Sequence, residues 1–135
     1  MKKLIVVLML LFVNASFGAE WLELYSKTYL DTESIKFYYN QQKVSFWLKV
    51  LNNGKIESFE GKKVWYAMTK NTVDCANNKI RNDAFWLYDL KGSQIGGTSI
   101  AEEGFGDIIP GTQAEDWAYL TCRLMNTKSS KINLP

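Results

Sequence analysis

Two cysteines, Cys75 and Cys122, constrain this chain of 135 residues more than any other feature, because the sequence contains no histidine. A nucleophilic cysteine normally needs a histidine base or a strongly positive pocket, and a structural zinc site needs four ligands. The chain offers neither arrangement, and the two cysteines do not form a C-x-x-C redox pair. We therefore predict a disulfide, with a free reactive thiol as the alternative, and no catalytic residue, metal or cofactor.

The first residues have the three parts of a secretory signal peptide. Lys2 and Lys3 precede an apolar run at 4–13 that is too short to cross a bilayer as a helix, and small and polar residues follow. We expect cleavage after Gly18 or Ala19. The alternative is an uncleaved N-terminal anchor.

Export has consequences for the rest of the chain. An oxidising compartment favours pairing of cysteines, and closing the loop 75–122 would stabilise the fold by roughly 4 kcal/mol in the chain-entropy model. Removing residues 1–18 takes two lysines from a total of 16 Lys+Arg against 14 Asp+Glu, which leaves a neutral domain. Such a domain lacks the basic footprint of a nucleic-acid binder. We predict a periplasmic, secreted or cell-surface protein without a transmembrane segment or a lipid-anchor cysteine.

The chain after the signal peptide alternates apolar and polar residues with the period of a β-strand. The clearest case is residues 43–51, where Val44, Phe46 and Leu48 share one face while Trp47 lies on the other. Residues 55–63 are polar and predicted as a loop. Further strands are predicted at 21–26, 35–39, 64–75, 84–90 and around Ile95.

The C-terminal part has the pattern of a helix. Thr112 and Glu115 are spaced as a capping box, and Trp117, Leu120 and Leu124 fall on one helical face with Thr121. The expected fold class is α+β. An antiparallel meander of five to six strands would carry one C-terminal helix, joined to the sheet by the disulfide. The domain is predicted at 19–126, followed by a polar tail at 127–135.

Two groups of charged residues are candidate sites. The acidic residues Glu102, Glu103 and Asp107 could supply acid–base chemistry, although an exposed acidic loop explains them more simply. The basic residues could contact an acidic partner or form a solvated face. The candidate binding residues are Lys62, Lys63, Lys70, Lys79 and Arg81.

Several short motifs in order make the sequence resemble the bacterial surface-adhesin protein E family. They are Trp21, Tyr29-x-Asp31-x-x-Ser34-Ile35, Val44-x-x-Trp47-x-Lys49, Val73-Asp74-Cys75, Tyr88-Asp89-x-x-Gly92-x-x-Ile95, Ile109-Pro110-Gly111-Thr112 and Cys122. The resemblance implies a small exported domain with an antiparallel sheet, a C-terminal helix and a disulfide. Its founding member is lipid-anchored at the outer membrane and binds host matrix and plasma proteins, whereas this sequence lacks the anchor cysteine.

The functional prediction is a non-catalytic exported domain that docks onto host or envelope macromolecules. Charge reversal at Lys62 and Lys63 is then expected to weaken binding to an acidic partner. The alternatives are an envelope-assembly or structural subunit and a small periplasmic hydrolase. An exposed sheet edge also makes a homodimer a reasonable expectation.

Overall fold

The computed structural model of this protein describes residues 20–52, 58–99 and 104–132, with side chains up to Lys128. The signal peptide predicted at 1–18 and the carboxylates of Glu102 and Glu103 lie outside the described residues. Within them, no helix is long and apolar enough to cross a membrane.

The described chain forms one antiparallel sheet and one long helix. The strands are β1 (Trp21–Tyr25), β2 (Thr28–Asp31), β3 (Lys36–Tyr38), β4 (Lys43–Leu51), β5 (Ser58–Phe59), β6 (Lys62–Asp74), β7 (Lys79–Asp89), β8 (Gln94–Ser99) and β9 (Gly106–Asp107), followed by helix α1 (Gln113–Ile132). The main order is β1-β2-β4-β6-β7-β8, while β3 pairs with β4, β5 with β6 and β9 with β7. Two short 3-10 helices, Thr32–Ser34 and Tyr39–Gln41, flank β3.

The predicted α+β class is confirmed, but the described residues form nine strands rather than the five or six expected. The additional strands β3, β5 and β9 contain two or three residues each, too few to show an alternating pattern. The loop predicted at 55–63 was wrong in its described part, since Ser58–Phe59 pairs with the start of β6. Strand β7 begins at Lys79 rather than at residue 84. The sequence pattern did not indicate its first part because most of those residues are polar.

One face of the sheet, the inner face, packs against α1. The predicted alternation in β4 is confirmed, since Val44, Phe46 and Leu48 are at most 1% exposed in the core beneath the helix. From α1 the most deeply buried residues are Ala118, Thr121 and Met125, rather than the Trp117–Leu120–Leu124 stripe that the sequence favoured. Trp117 and Leu120 are partly buried at the margin of the same core.

Both ends of α1 differ from the prediction. The Thr112 hydroxyl donates to the Ile109 carbonyl at 2.6 Å, and the Glu115 amide bonds to the backbone carbonyl of Thr112, so the predicted capping box does not form. At the other end the helix continues to Ile132. Residues 127–132, which the sequence assigns to a polar tail, are therefore helical.

The predicted disulfide between Cys75 and Cys122 is confirmed. The Cα atoms of the two cysteines are 5.8 Å apart. Cys75 follows the last residue of β6, and Cys122 lies in the middle of α1, so the bond ties the helix to one end of the sheet. Both side chains pack against the buried core.

The inner face continues beyond α1 as a smaller cluster. Val64, Ala67 and Leu87 are buried there, with Phe59 of β5 packed against them. Gly96 allows this contact, because a Cβ atom at that position would lie 2.4 Å from Cε1 of Phe59. The short β5 hairpin thus covers the part of the sheet that the helix does not reach.

Candidate binding site

The face of the sheet turned away from α1, the outer face, is built by the residues that alternate with the core. Residues directly opposite each other in antiparallel strands project to the same side. Trp47 of β4 lies opposite Lys70 of β6, which in turn lies opposite Ala84 of β7. One step along the strands, Ser45, Thr72 and Arg81 form the neighbouring row.

These rows form the floor of a cleft of about 630 Å³. Three cationic side chains, one carboxylate and three large aromatic rings line it, together with hydroxyl and amide groups. The lining residues are Tyr38, Gln41, Lys43, Ser45, Trp47, Lys70, Thr72, Arg81, Asp83, Ala84, Trp86 and Ser99. The volume falls within the range of about 300–1,000 Å³ typical of ligand sites in proteins.

A β-bulge in β7 places Asp83, whose carboxylate is the one found among the described residues of the cleft. The pairing of β6 with β7 shifts register between Lys70 and Asn71, so that Asp83 stands as an extra residue in β7. Its carboxylate accepts hydrogen bonds from the Thr72 hydroxyl and from Nε of Arg81, each at 2.5 Å. The Asp83 side chain is only 14% exposed, whereas that of Arg81 is 30% exposed. Asp83 therefore fixes the orientation of the Arg81 guanidinium group.

A phenylalanine outside the floor of the cleft holds two of its cations. The ring centroid of Phe105 lies 4.6 Å from the Arg81 guanidinium carbon and 5.0 Å from Nζ of Lys43. A cation within about 6 Å of an aromatic ring is attracted by the ring's quadrupole. Asp83 and Phe105 thus restrict the positions of Arg81 and Lys43 before any ligand arrives.

Beside the cleft, the outer face carries a second aromatic group, the Lys49 cluster. Nζ of Lys49 lies 4.5 Å from the ring centroid of Tyr66, 5.6 Å from that of Trp21 and 6.0 Å from that of Trp65. Tyr66 stacks on Tyr88 with ring centroids 4.7 Å apart. Burial, and secondarily the neighbouring Tyr88, raise the pKa of Tyr66. Lys49 belongs to β4, and the rings around it belong to β1 and β6, so the cluster links these three strands. Its aromatic rings already contact a cation of the protein itself, so we do not consider it a ligand site.

The five predicted binding residues do not form one patch. Lys70 and Arg81 line the cleft. Lys79 lies 3.9 Å from the carboxylate of Asp107, and both side chains are well exposed. Lys62 and Lys63 are at the start of β6, and at about 3.3 Å per residue Lys62 is roughly 26 Å along the strand from Lys70.

Sequence reasoning missed the other members of the cleft, chiefly Lys43, Trp47, Trp86 and Tyr38. The alternation in β4 already placed Trp47 on the outer face, and it also gives Lys43 the same direction. What the sequence does not reveal is which residues of β6 and β7 lie beside them. That depends on strand register and on the bulge at Asp83.

The acidic candidates for catalysis are only partly described. The side chain of Asp107 is 88% exposed and lies near Lys79, while Glu102 and Glu103 fall in the gap between residues 99 and 104. In the described parts of the chain, no group of three or more His, Cys, Asp or Glu residues could hold a metal ion.

The fold of this chain is similar to that of known proteins. The solved structures that the fold matches include three of protein E from Haemophilus influenzae. Crystal form II has a TM-score of 0.62 and 17% identity, over 82% of this chain and 93% of the other. A structure of the protein from a non-typeable strain has a TM-score of 0.60 and 17% identity, over 84% and 82%. A further structure has a TM-score of 0.58 and 20% identity, over 84% and 90%.

The sequence itself identifies the family. The model of the family described as Surface-adhesin protein E matches residues 21–123, most of the chain, whereas no curated protein matches significantly. The chain belongs to the surface-adhesin protein E family, as the ordered motifs of the sequence indicated. It is therefore an exported, surface adhesin-like binding domain.

Proposed function

We propose that this protein is a non-catalytic adhesin that binds an acidic macromolecule of the host surface through the cleft of the outer face. One observation carries the proposal: the cleft brings Lys43, Lys70 and Arg81 together with exposed aromatic surface, and among the described residues that line it only Asp83 carries a carboxylate. Buried aromatic rings and arginine are the side chains that most often dominate binding energy.

The cleft is a better candidate than the β5–β6 hairpin, although both are basic. Lys62 and Lys63 are exposed and follow a turn, an arrangement typical of a solvated charged surface. In the cleft, by contrast, Arg81 is oriented by Asp83 and packed against Phe105. Cations whose positions are already restricted lose less conformational entropy on binding.

The two surfaces can be separated with matched substitutions in one strand. Lys70→Glu and Lys62→Glu make the same change of charge in β6, one inside the cleft and one outside it. Binding of the mature protein to immobilised basement-membrane extract should fall strongly for Lys70→Glu and remain near wild type for Lys62→Glu. Circular dichroism and the melting temperature of both variants provide the folding control.

The opposite pattern would move the binding surface to the hairpin. If Lys62→Glu and the double variant with Lys63→Glu lose binding while Lys70→Glu retains it, the cleft is not the site. If wild-type protein does not bind the extract above the level of a reduced, unfolded sample, the adhesive role itself is wrong for this substrate.

A further inference from the structure

We infer that the ligand of the cleft is an anionic polysaccharide of the host surface, a sugar chain that carries carboxylate or sulfate groups. The inference deepens the proposed function and rests on it. It follows from three properties of the cleft: the spacing of its cations, the chemistry of the side chains between them, and the pairing of the strands that form its floor.

The cations are spread along the cleft rather than gathered at one point. Lys43 is four residues before Trp47 in β4, and Trp47 lies opposite Lys70, so the two lysines are separated by about 13 Å along the strand direction. Arg81 lies in the row between them, on β7. The positions at which the three cations leave the sheet therefore form a line along the cleft, and a chain with repeated anionic groups can follow that line.

Between the cations the cleft offers flat apolar surfaces and hydroxyl groups. Trp47 and Trp86 are half-buried in neighbouring parts of the floor, and Tyr38 stands at the margin with 44% exposure. Ser99 and Gln41, which are exposed, add neutral hydrogen-bonding groups. A sugar ring presents an apolar C–H face and a rim of hydroxyls, which matches an aromatic side chain surrounded by polar groups.

The strand pairing argues against an acidic peptide as the ligand. Extended peptides usually gain affinity by adding a strand to a sheet edge. The floor of the cleft consists of β4, β6 and β7, each of which pairs with a strand on both sides. Their backbone groups are engaged in the sheet, so recognition in the cleft must use side chains.

The charge of the chain and of the cleft argues against nucleic acid as the ligand. Aromatic rings between cations also suit single-stranded nucleic acid, but such proteins bind many phosphates through a broad basic surface. This chain has 16 Lys+Arg against 14 Asp+Glu, and the cleft holds one of its three cations against Asp83. A ligand of lower charge density that also offers apolar ring faces fits better.

The test compares defined probes on the mature protein by calorimetry and tryptophan fluorescence. The probes are a heparin fragment, a hyaluronan fragment, neutral dextran, poly-L-glutamate and a single-stranded oligothymidylate. We expect an anionic sugar, heparin or hyaluronan, to bind more tightly than polyglutamate or oligothymidylate, and dextran not to bind. Trp86→Ala should weaken sugar binding about tenfold, while Trp65→Ala, an exposed tryptophan outside the cleft, should stay within about twofold.

A second variant keeps the test valid if Trp86→Ala folds poorly. Lys70→Gln removes one charge without removing packing, and it should weaken heparin binding and reduce its dependence on salt concentration. Equal affinity for heparin, polyglutamate and oligothymidylate, unchanged by Trp86→Ala, would overturn the inference and leave a surface that recognises charge alone.

Treating the basement-membrane extract with heparinase and hyaluronidase separates this inference from the proposed function. Loss of binding after treatment supports the polysaccharide. If binding survives treatment but is still abolished by Lys70→Glu, the polysaccharide inference fails and the proposed adhesive function stands. If wild-type protein binds neither the untreated extract nor any probe, both fail.

Discussion

The two faces of the sheet use the same strands for different purposes. On the inner face, Val44, Phe46 and Leu48 are sealed beneath α1 and the disulfide holds the helix in place. On the outer face, the intervening residues Ser45 and Trp47 line a cleft with cations from the neighbouring strands. Because side chains alternate along a strand, the residues of β4 from Val44 to Leu48 contribute in turn to the core and to the cleft.

This division implies that substitutions on the two faces have separable effects. Inner-face changes should lower stability, and binding should fall only as far as folding does. Outer-face changes should reduce binding while leaving most of the stability intact.

Replacing Phe46 by alanine should produce the greatest loss. Its side chain is 1% exposed in the centre of the core, and truncating a buried phenylalanine typically costs about 3–5 kcal/mol. The adjacent Trp47→Ala should cost clearly less, because Trp47 is only partly buried. Urea unfolding of both variants measures the difference, and equal losses would show that the outer face is as important for stability as the core.

Removing the disulfide should have a similarly large but mechanistically different effect. The bond closes the chain from Cys75 to Cys122, a sequence separation of 47. Replacing both cysteines by alanine should lower the free energy of unfolding by about 4 kcal/mol, chiefly by freeing the unfolded chain. Reduction of the wild-type protein should reproduce the loss, and adding reductant to the double variant should change nothing further. A loss below about 1 kcal/mol would mean that packing alone holds α1 on the sheet.

The inner face was largely predictable from the sequence, and the outer face was not. The alternation in β4 identified its core residues, and the absence of histidine together with the predicted export identified the disulfide. Both arguments use patterns within one strand or one pair of residues. The cleft depends on which residues of three strands lie side by side, and a single extra residue at Asp83 shifts that alignment.

Lys62 and Thr112 show two further limits of sequence reasoning. The sequence places Lys62 and Lys70 in the same basic stretch. Both lie in β6, an extended strand of 13 residues, so the two side chains are far apart in the structure. Thr112 has the spacing of a capping box, but its hydroxyl is engaged by the Ile109 carbonyl. Local motifs predict what a residue can do, and tertiary structure decides which option is used.

A smaller effect is expected at the far end of the inner face. Gly96→Ala would place a Cβ atom 2.4 Å from the Phe59 ring and force that ring to shift from its position on the sheet, at a cost of about 1–3 kcal/mol. Gly104→Ala is the matched control, since nothing lies within 4 Å of its added Cβ. Thermal unfolding measures both. Unchanged stability in Gly96→Ala would show that the Phe59 contact contributes little to the inner face.

The smallest effect concerns Asp74, at the end of β6 where the sheet turns into β7. The side-chain amide and the backbone amide of Asn77 donate to its carboxylate. These bonds, the side-chain bond first and the charge of Lys43 after them, lower the pKa of Asp74 from its ordinary value of 3.8. A carboxylate whose pKa is lower in the folded state stabilises the fold above the unfolded-state pKa, and this contribution is lost as the pH falls through the folded-state pKa.

Asp74→Asn should therefore lower the free energy of unfolding by about 1–2 kcal/mol at neutral pH, as expected for hydrogen bonds to a charged group. The gap between wild type and variant should remain constant down to about pH 5 and close as the pH falls below 3.8, because protonated aspartic acid then resembles asparagine. Asn77→Ala keeps the carboxylate and the backbone amide that donates to it, but removes the side-chain amide donor, and should show a smaller gap at neutral pH. Urea unfolding at a series of pH values measures each gap. A gap that stayed constant at low pH would assign the effect of Asp74 to turn geometry rather than to charge.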